Sequence, residues 1–134
     1  MSRHHNRARV WIGSAVAAHL VVSILHGTAH TGARVPLSPA ANLFVLGVIL
    51  AGPLVGLALM WPAERIGIWL IGGTMAASLV FGLVNHFVLS SPDHVGHVDP
   101  EWRLLFATTA ALLAVIEAAG VGLAIHFGRE RIRS

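Results

Sequence analysis

Four long apolar segments separated by short polar breaks make up nearly the whole chain. They cover residues 10–28, 38–60, 63–89 and 100–127. The last three exceed the roughly 20 residues that a helix needs to cross about 30 Å of hydrocarbon, and the first is apolar enough to do so. The breaks carry helix punctuation. Ser38-Pro39 and Asp99-Pro100 each put a capping side chain before a proline at the first helical position. Trp61-Pro62 ends the second segment and opens the third, and Pro53 is expected to kink the second. The pattern predicts an all-α fold: one domain over 1–134, a polytopic bundle of four transmembrane helices with very short loops.

Polar positions inside these segments are few and ordered. His19, Ser23, His26 and His30 are spaced four, three and four apart, which keeps them on one face of a helix. Lipid offers such a stripe no hydrogen-bond partner, so it must face protein, water or a ligand. Small residues also recur at helix-contact spacing. Gly52 and Gly56 do so in the second segment, and Ala111, Ala114, Ala118 and Gly122 in the fourth. Both read as close packing within one bundle.

Composition narrows the class. Of 134 residues, 55% are hydrophobic and only 11% charged, about half the charge of a soluble domain. Cysteine is absent, which excludes disulfides, thiolate metal sites, iron–sulfur clusters and covalent haem attachment. Tyrosine is absent too, removing one common proton-transfer and radical side chain. The basic isoelectric point comes from arginines at segment ends, which attract anionic lipid and give no reason to expect nucleic acid. No glycine-rich phosphate loop or serine-nucleophile elbow occurs.

Arginine placement gives a direction. Arg3, Arg7, Arg9, Arg65, Arg129, Arg131 and Arg133 fall on one side and only Arg34 and Arg103 on the other. By the positive-inside rule both termini are cytoplasmic and the first and third loops face outward, in a plasma or inner membrane. The basic start followed by an apolar run has the outline of a signal peptide. The run is long and holds two histidines, so it is read as a retained first span.

Threaded this way, histidines collect at the outer face. His26 and His30 end the first helix, His86 ends the third, and His94 and His97 lie in the following loop with Asp93, Asp99 and Glu101. Nitrogen and carboxylate ligands without sulfur suit zinc, copper or iron. The expected metal site takes His26, His30 and His86 as its core, with His94, His97 and Asp93 completing or covering it. An alternative is a b-type haem held between the first and third helices by His26 and His86. A third reading is a non-catalytic subunit of a membrane complex, or a homo-oligomer, whose histidines satisfy one another. His4, His5 and His126 read as interfacial. Deeper, His19 and Glu117 each lie about ten residues from the inner end of their segments, near mid-bilayer. They are expected to form a buried polar pair, either fixing helix pairing or relaying protons, with Thr74 and Ser78 able to extend it.

The spacings His26-x-x-x-His30 and His94-x-x-His97 resemble the histidine boxes of membrane fatty-acid hydroxylases and desaturases. That likeness covers these four residues alone, and those enzymes carry more histidines, on the cytoplasmic side. It implies at most that histidines at such spacing can hold iron. The function expected is metal binding at the outer face, in redox chemistry or metal handling.

Overall fold

The computed structural model describes residues 3–133 and the side chains of residues 6–130. Its elements are helical throughout: α1 (Arg3–Gly32), α2 (Pro39–Phe44), π1 (Val45–Ala51), α3 (Gly52–Leu59), α4 (Glu64–Leu83), π2 (Val84–Val88) and α5 (Pro100–Arg133). They make four stretches long and apolar enough to cross a membrane: Asn6–Gly32, Pro39–Leu59, Glu64–Val88 and Pro100–Glu130. The chain is thus the all-α four-helix protein that its hydropathy predicts. His4 and His5, and Arg3, Arg131 and Arg133 of the arginine count, lie outside the described side chains.

Local chemistry sets the helix ends. Ser38 Oγ accepts from the Ala41 N–H at 3.1 Å, and Asp99 Oδ1 accepts from the Glu101 N–H at 2.9 Å. Helix α1 stops where Arg34 turns left-handed, at φ 55°. The Val35 N–H then bonds the His30 carbonyl and the Arg34 N–H bonds that of Thr31, the paired bonds of a Schellman cap. The second span is interrupted as its proline predicts. Pro53 cannot donate to the carbonyl four residues back, and its ring crowds that group, so the turn before it opens. The result is the π-helical segment π1 rather than a simple bend.

Helix α1 packs along α5, α5 along α4, and α4 along α3, while α1 meets the second span chiefly at α3. Glycines bring the second and third spans together: a Cβ on Gly67 would lie 2.5 Å from the Gly56 carbonyl. In the fourth span the packed small residues are Ala110, Gly120, Ala124 and Gly128, all buried. The stripe Ala111, Ala118 and Gly122 is instead exposed, with Ala114 half-buried beside it. Large apolar side chains such as Ile24, Leu43, Leu104 and Val115 stand exposed, as lipid contact requires.

Two apolar clusters bracket a polar layer. The terminal half holds Ile12, Val16, Met60, Ile68, Ile71 and Met75; the opposite end holds Ala29, Val98 and Phe106. At the terminal end Arg9 Nη2 donates to the Met60 carbonyl at 3.1 Å, and its guanidinium lies over the Trp61 ring. Between the clusters lie His19, His26, Ser78, His86 and Glu117, all buried.

Candidate metal centre

Helix α1 delivers His26 and His30 from one stripe, one turn apart. His86 arrives from π2, and the widened turn decides which residue arrives. Counted at α-helical pitch from the buried Ser78, Asn85 rather than His86 would face inward. A π turn carries one residue more and shifts the register by one. His86 is therefore buried, while Asn85 is half-buried and caps the Phe81 carbonyl through Nδ2 at 2.8 Å. The loop after π2 folds back, with the Val95 N–H on the His86 carbonyl, and brings Asp93 beneath the rings.

One ring nitrogen from each of His26, His30 and His86 lies within 4.8 Å of the other two. Phe106 of α5 forms the floor, with its ring centroid 4.8 Å from those of His26 and His30 and 5.1 Å from that of His86. Hydrogen bonding then limits which nitrogens are free. The Thr109 hydroxyl lies 2.7 Å from the Leu105 carbonyl and 2.8 Å from His26 Nδ1: it accepts from His26 Nδ1–H when it donates to the carbonyl, and donates to His26 Nδ1 in the other tautomer. His86 Nδ1 faces two oxygens of Asp93, the carbonyl at 3.1 Å and Oδ1 at 3.2 Å, and so carries a proton. In the first tautomer each ring keeps a lone pair on Nε2; in the second His26 Nε2–H donates to His86 Nε2. These two nitrogens point at each other 3.2 Å apart.

The second tautomer satisfies both rings without an ion, and the first presents both lone pairs to a cation. Metal–nitrogen bonds of about 2.0 Å in a tetrahedron put nitrogens about 3.3 Å apart, close to the spacing seen. His30 stands further off and needs a shift of about 1.5 Å to complete that edge. It turns Nε2 toward Asp93 Oδ1 at 3.3 Å and leaves Nδ1 buried without a partner. Burial pushes the Asp93 carboxyl up, but its hydrogen bond and charge interaction with His86, and the charges of His30 and His26, hold it below the usual carboxylate range. An ionised Asp93 behind two imidazoles is the usual orienting partner of histidine ligands.

No known family, curated protein or solved structure matches this chain. The site stands on its geometry.

The other candidate residues are distributed as follows. His94 and His97 sit beside each other, ring centroids 5.2 Å apart, half-buried and exposed, and neither joins the group of ring nitrogens that the trio forms. Their loop turns them outward: His94 Nδ1 accepts from the Gly96 N–H, and His97 Nδ1 donates to the Ser91 carbonyl. Asp93 is thus the loop residue that the fold brings to the rings. His19 Nε2 lies 3.1 Å from Glu117 Oε1, both buried, with His19 Nδ1 left unpartnered. Thr74 and Ser78 spend their hydroxyls on carbonyls of their own helix. Phe106 and Thr109 were not singled out by the sequence. The available signal was Thr109 itself, a polar residue in an apolar run at the depth of His26.

Proposed function

We propose that this chain binds one transition-metal ion through His26, His30 and His86, with Asp93 as the orienting carboxylate. The observation that carries this is the convergence of three histidines from two spans, with ring nitrogens within 4.8 Å of one another and the Nε2 atoms of His26 and His86 3.2 Å apart. Neutral imidazoles without sulfur suit zinc, copper or iron. Three protein ligands leave a coordination position open, the arrangement of sites that do chemistry on, or hand over, what they bind. The arginine asymmetry supports an outward-facing site, and redox chemistry or metal handling is the role such a site would serve there.

A bare ion suits the residues better than haem. Axial nitrogens on opposite sides of an iron stand about 4 Å apart, from two bonds of about 2.0 Å. Here they are 3.2 Å apart, on rings inclined at 72° and packed against His30 and Phe106. Metal analysis and a visible spectrum of the purified protein test the proposal. One bound copper, zinc or iron per chain, lost in His86→Ala, is the expected result. A Soret band would replace the proposal by haem, and a folded, metal-free protein by the subunit reading.

A further inference from the structure

Between α1 and π1 lies a cavity of about 420 Å³, within the size range of small-molecule sites. Ile24, Gly27, Val45, Ile49, Leu79 and Leu113 are among the apolar residues of its wall. Because α1 meets the second span chiefly at α3, the cavity's flank lies where the two separate, and Ile24 at that flank stands exposed. The trio lies at one end of the cavity. The deeper end carries Ser23, Ser78 and Glu117. Ser78 is committed to the Thr74 carbonyl, but Ser23 Oγ is buried with no partner. Glu117 gives Oε1 to His19, one turn from Ser23 on the same face of α1. An unpartnered buried hydroxyl in an apolar wall is costly unless something hydrogen-bonds to it, and the Glu117 carboxyl lines the same cavity.

We propose that the cavity binds a neutral, lipid-soluble molecule bearing a hydroxyl. The hydroxyl sits between Ser23 and Glu117, and the apolar body lies along Ile24, Gly27, Ile49 and Leu79. Each part of that description has a cause. The apolar walls and the flank toward hydrocarbon select a molecule that arrives from the bilayer. A charged head is costly to carry to that depth, so the head is neutral. A carboxylate would also meet Glu117 and Asp93, which both line the cavity. A hydroxyl donates and accepts, so it satisfies Ser23 and Glu117 together. No metal takes part in this binding.

The test uses the full chain in lipid vesicles and a long-chain primary alcohol carrying a photoactivatable diazirine. Crosslinks should map to the segments around Ile24, Ile49 and Leu79. Excess unlabelled alcohol should abolish them, and an alkane of equal length should not. A Cβ at Gly27 meets nothing within 4 Å, so Gly27→Phe should fold, fill the cavity and reduce labelling to background. Ser23→Ala should weaken competition by the alcohol. Labelling spread evenly over the lipid-facing side chains would overturn the proposal, as would equal competition by the alkane or undiminished labelling of Gly27→Phe. Better competition by a long-chain amine would overturn the choice of a neutral head. Metal content measured on the same samples separates the two readings, since metal-free protein should label as well as loaded protein.

Discussion

The Thr109 hydroxyl holds His26 Nδ1 at 2.8 Å, and by accepting from it would leave Nε2 free to bind. Replacing it by valine keeps the shape but removes the acceptor, and the imidazole can then present the wrong tautomer. Loss of such an orienting partner costs roughly 10–100-fold in metal affinity, which a competition titration with a chromogenic chelator would read. Thr109→Ser should retain affinity. Asp93→Asn removes the charge behind His86 and His30, and the same titration should show a loss of similar size. Glu117→Gln tests the deeper pair. It keeps most of the hydrogen bonding with His19 but cannot carry a proton, so unchanged metal binding and stability point to a packing role. A fold-preserving loss of pH-dependent metal or redox response points to a relay. At this scale the sequence was informative about His26, His30 and His86, because spacing alone placed them at one depth. It was silent about Thr109 and Phe106, whose role exists only where α5 lies against α1.

Widened turns and helix ends decide which side chains the elements deliver. The π2 segment puts His86 rather than Asn85 into the bundle by adding one residue to the turn. Exchanging the pair, Asn85→His with His86→Asn, keeps composition and should abolish metal binding while leaving helicity by circular dichroism unchanged. Nothing in Val-Asn-His-Phe-Val announces a π turn, since the widened ladder depends on what the helix packs against. Pro53 did announce a disturbance, and only its form was left open. At the end of α1, Arg34 takes the left-handed conformation that glycine adopts freely. Arg34→Gly should raise the unfolding free energy by about 1 kcal/mol, measured by denaturation in detergent. It should also leave metal affinity unchanged, since the Schellman bonds to His30 and Thr31 persist.

At the scale of the whole molecule, a bound ion should stabilise the native bundle by mass action. Metal at 100 times its dissociation constant adds about 2.7 kcal/mol, visible as a raised midpoint of thermal unfolding that chelator reverses. Reporter fusions at Gly96 and Ser134 should give external and cytoplasmic signals respectively; the reverse would turn the histidine end inward. What the sequence determined by itself was the helical class, the four spans and the histidine stripe, since hydropathy and backbone satisfaction leave a membrane chain little choice. What only the tertiary structure decided was which faces meet. Lipid and bundle interior are equally apolar, so hydropathy does not mark the inward side of a span. Close packing of small residues and pairing of polar ones select it instead. For that reason Gly120, Ala124 and Gly128 are buried in the fourth span while the neighbouring stripe Ala111, Ala118 and Gly122 faces out. For the same reason Asp93 reaches the trio while His94 and His97, one and four residues further on, turn away.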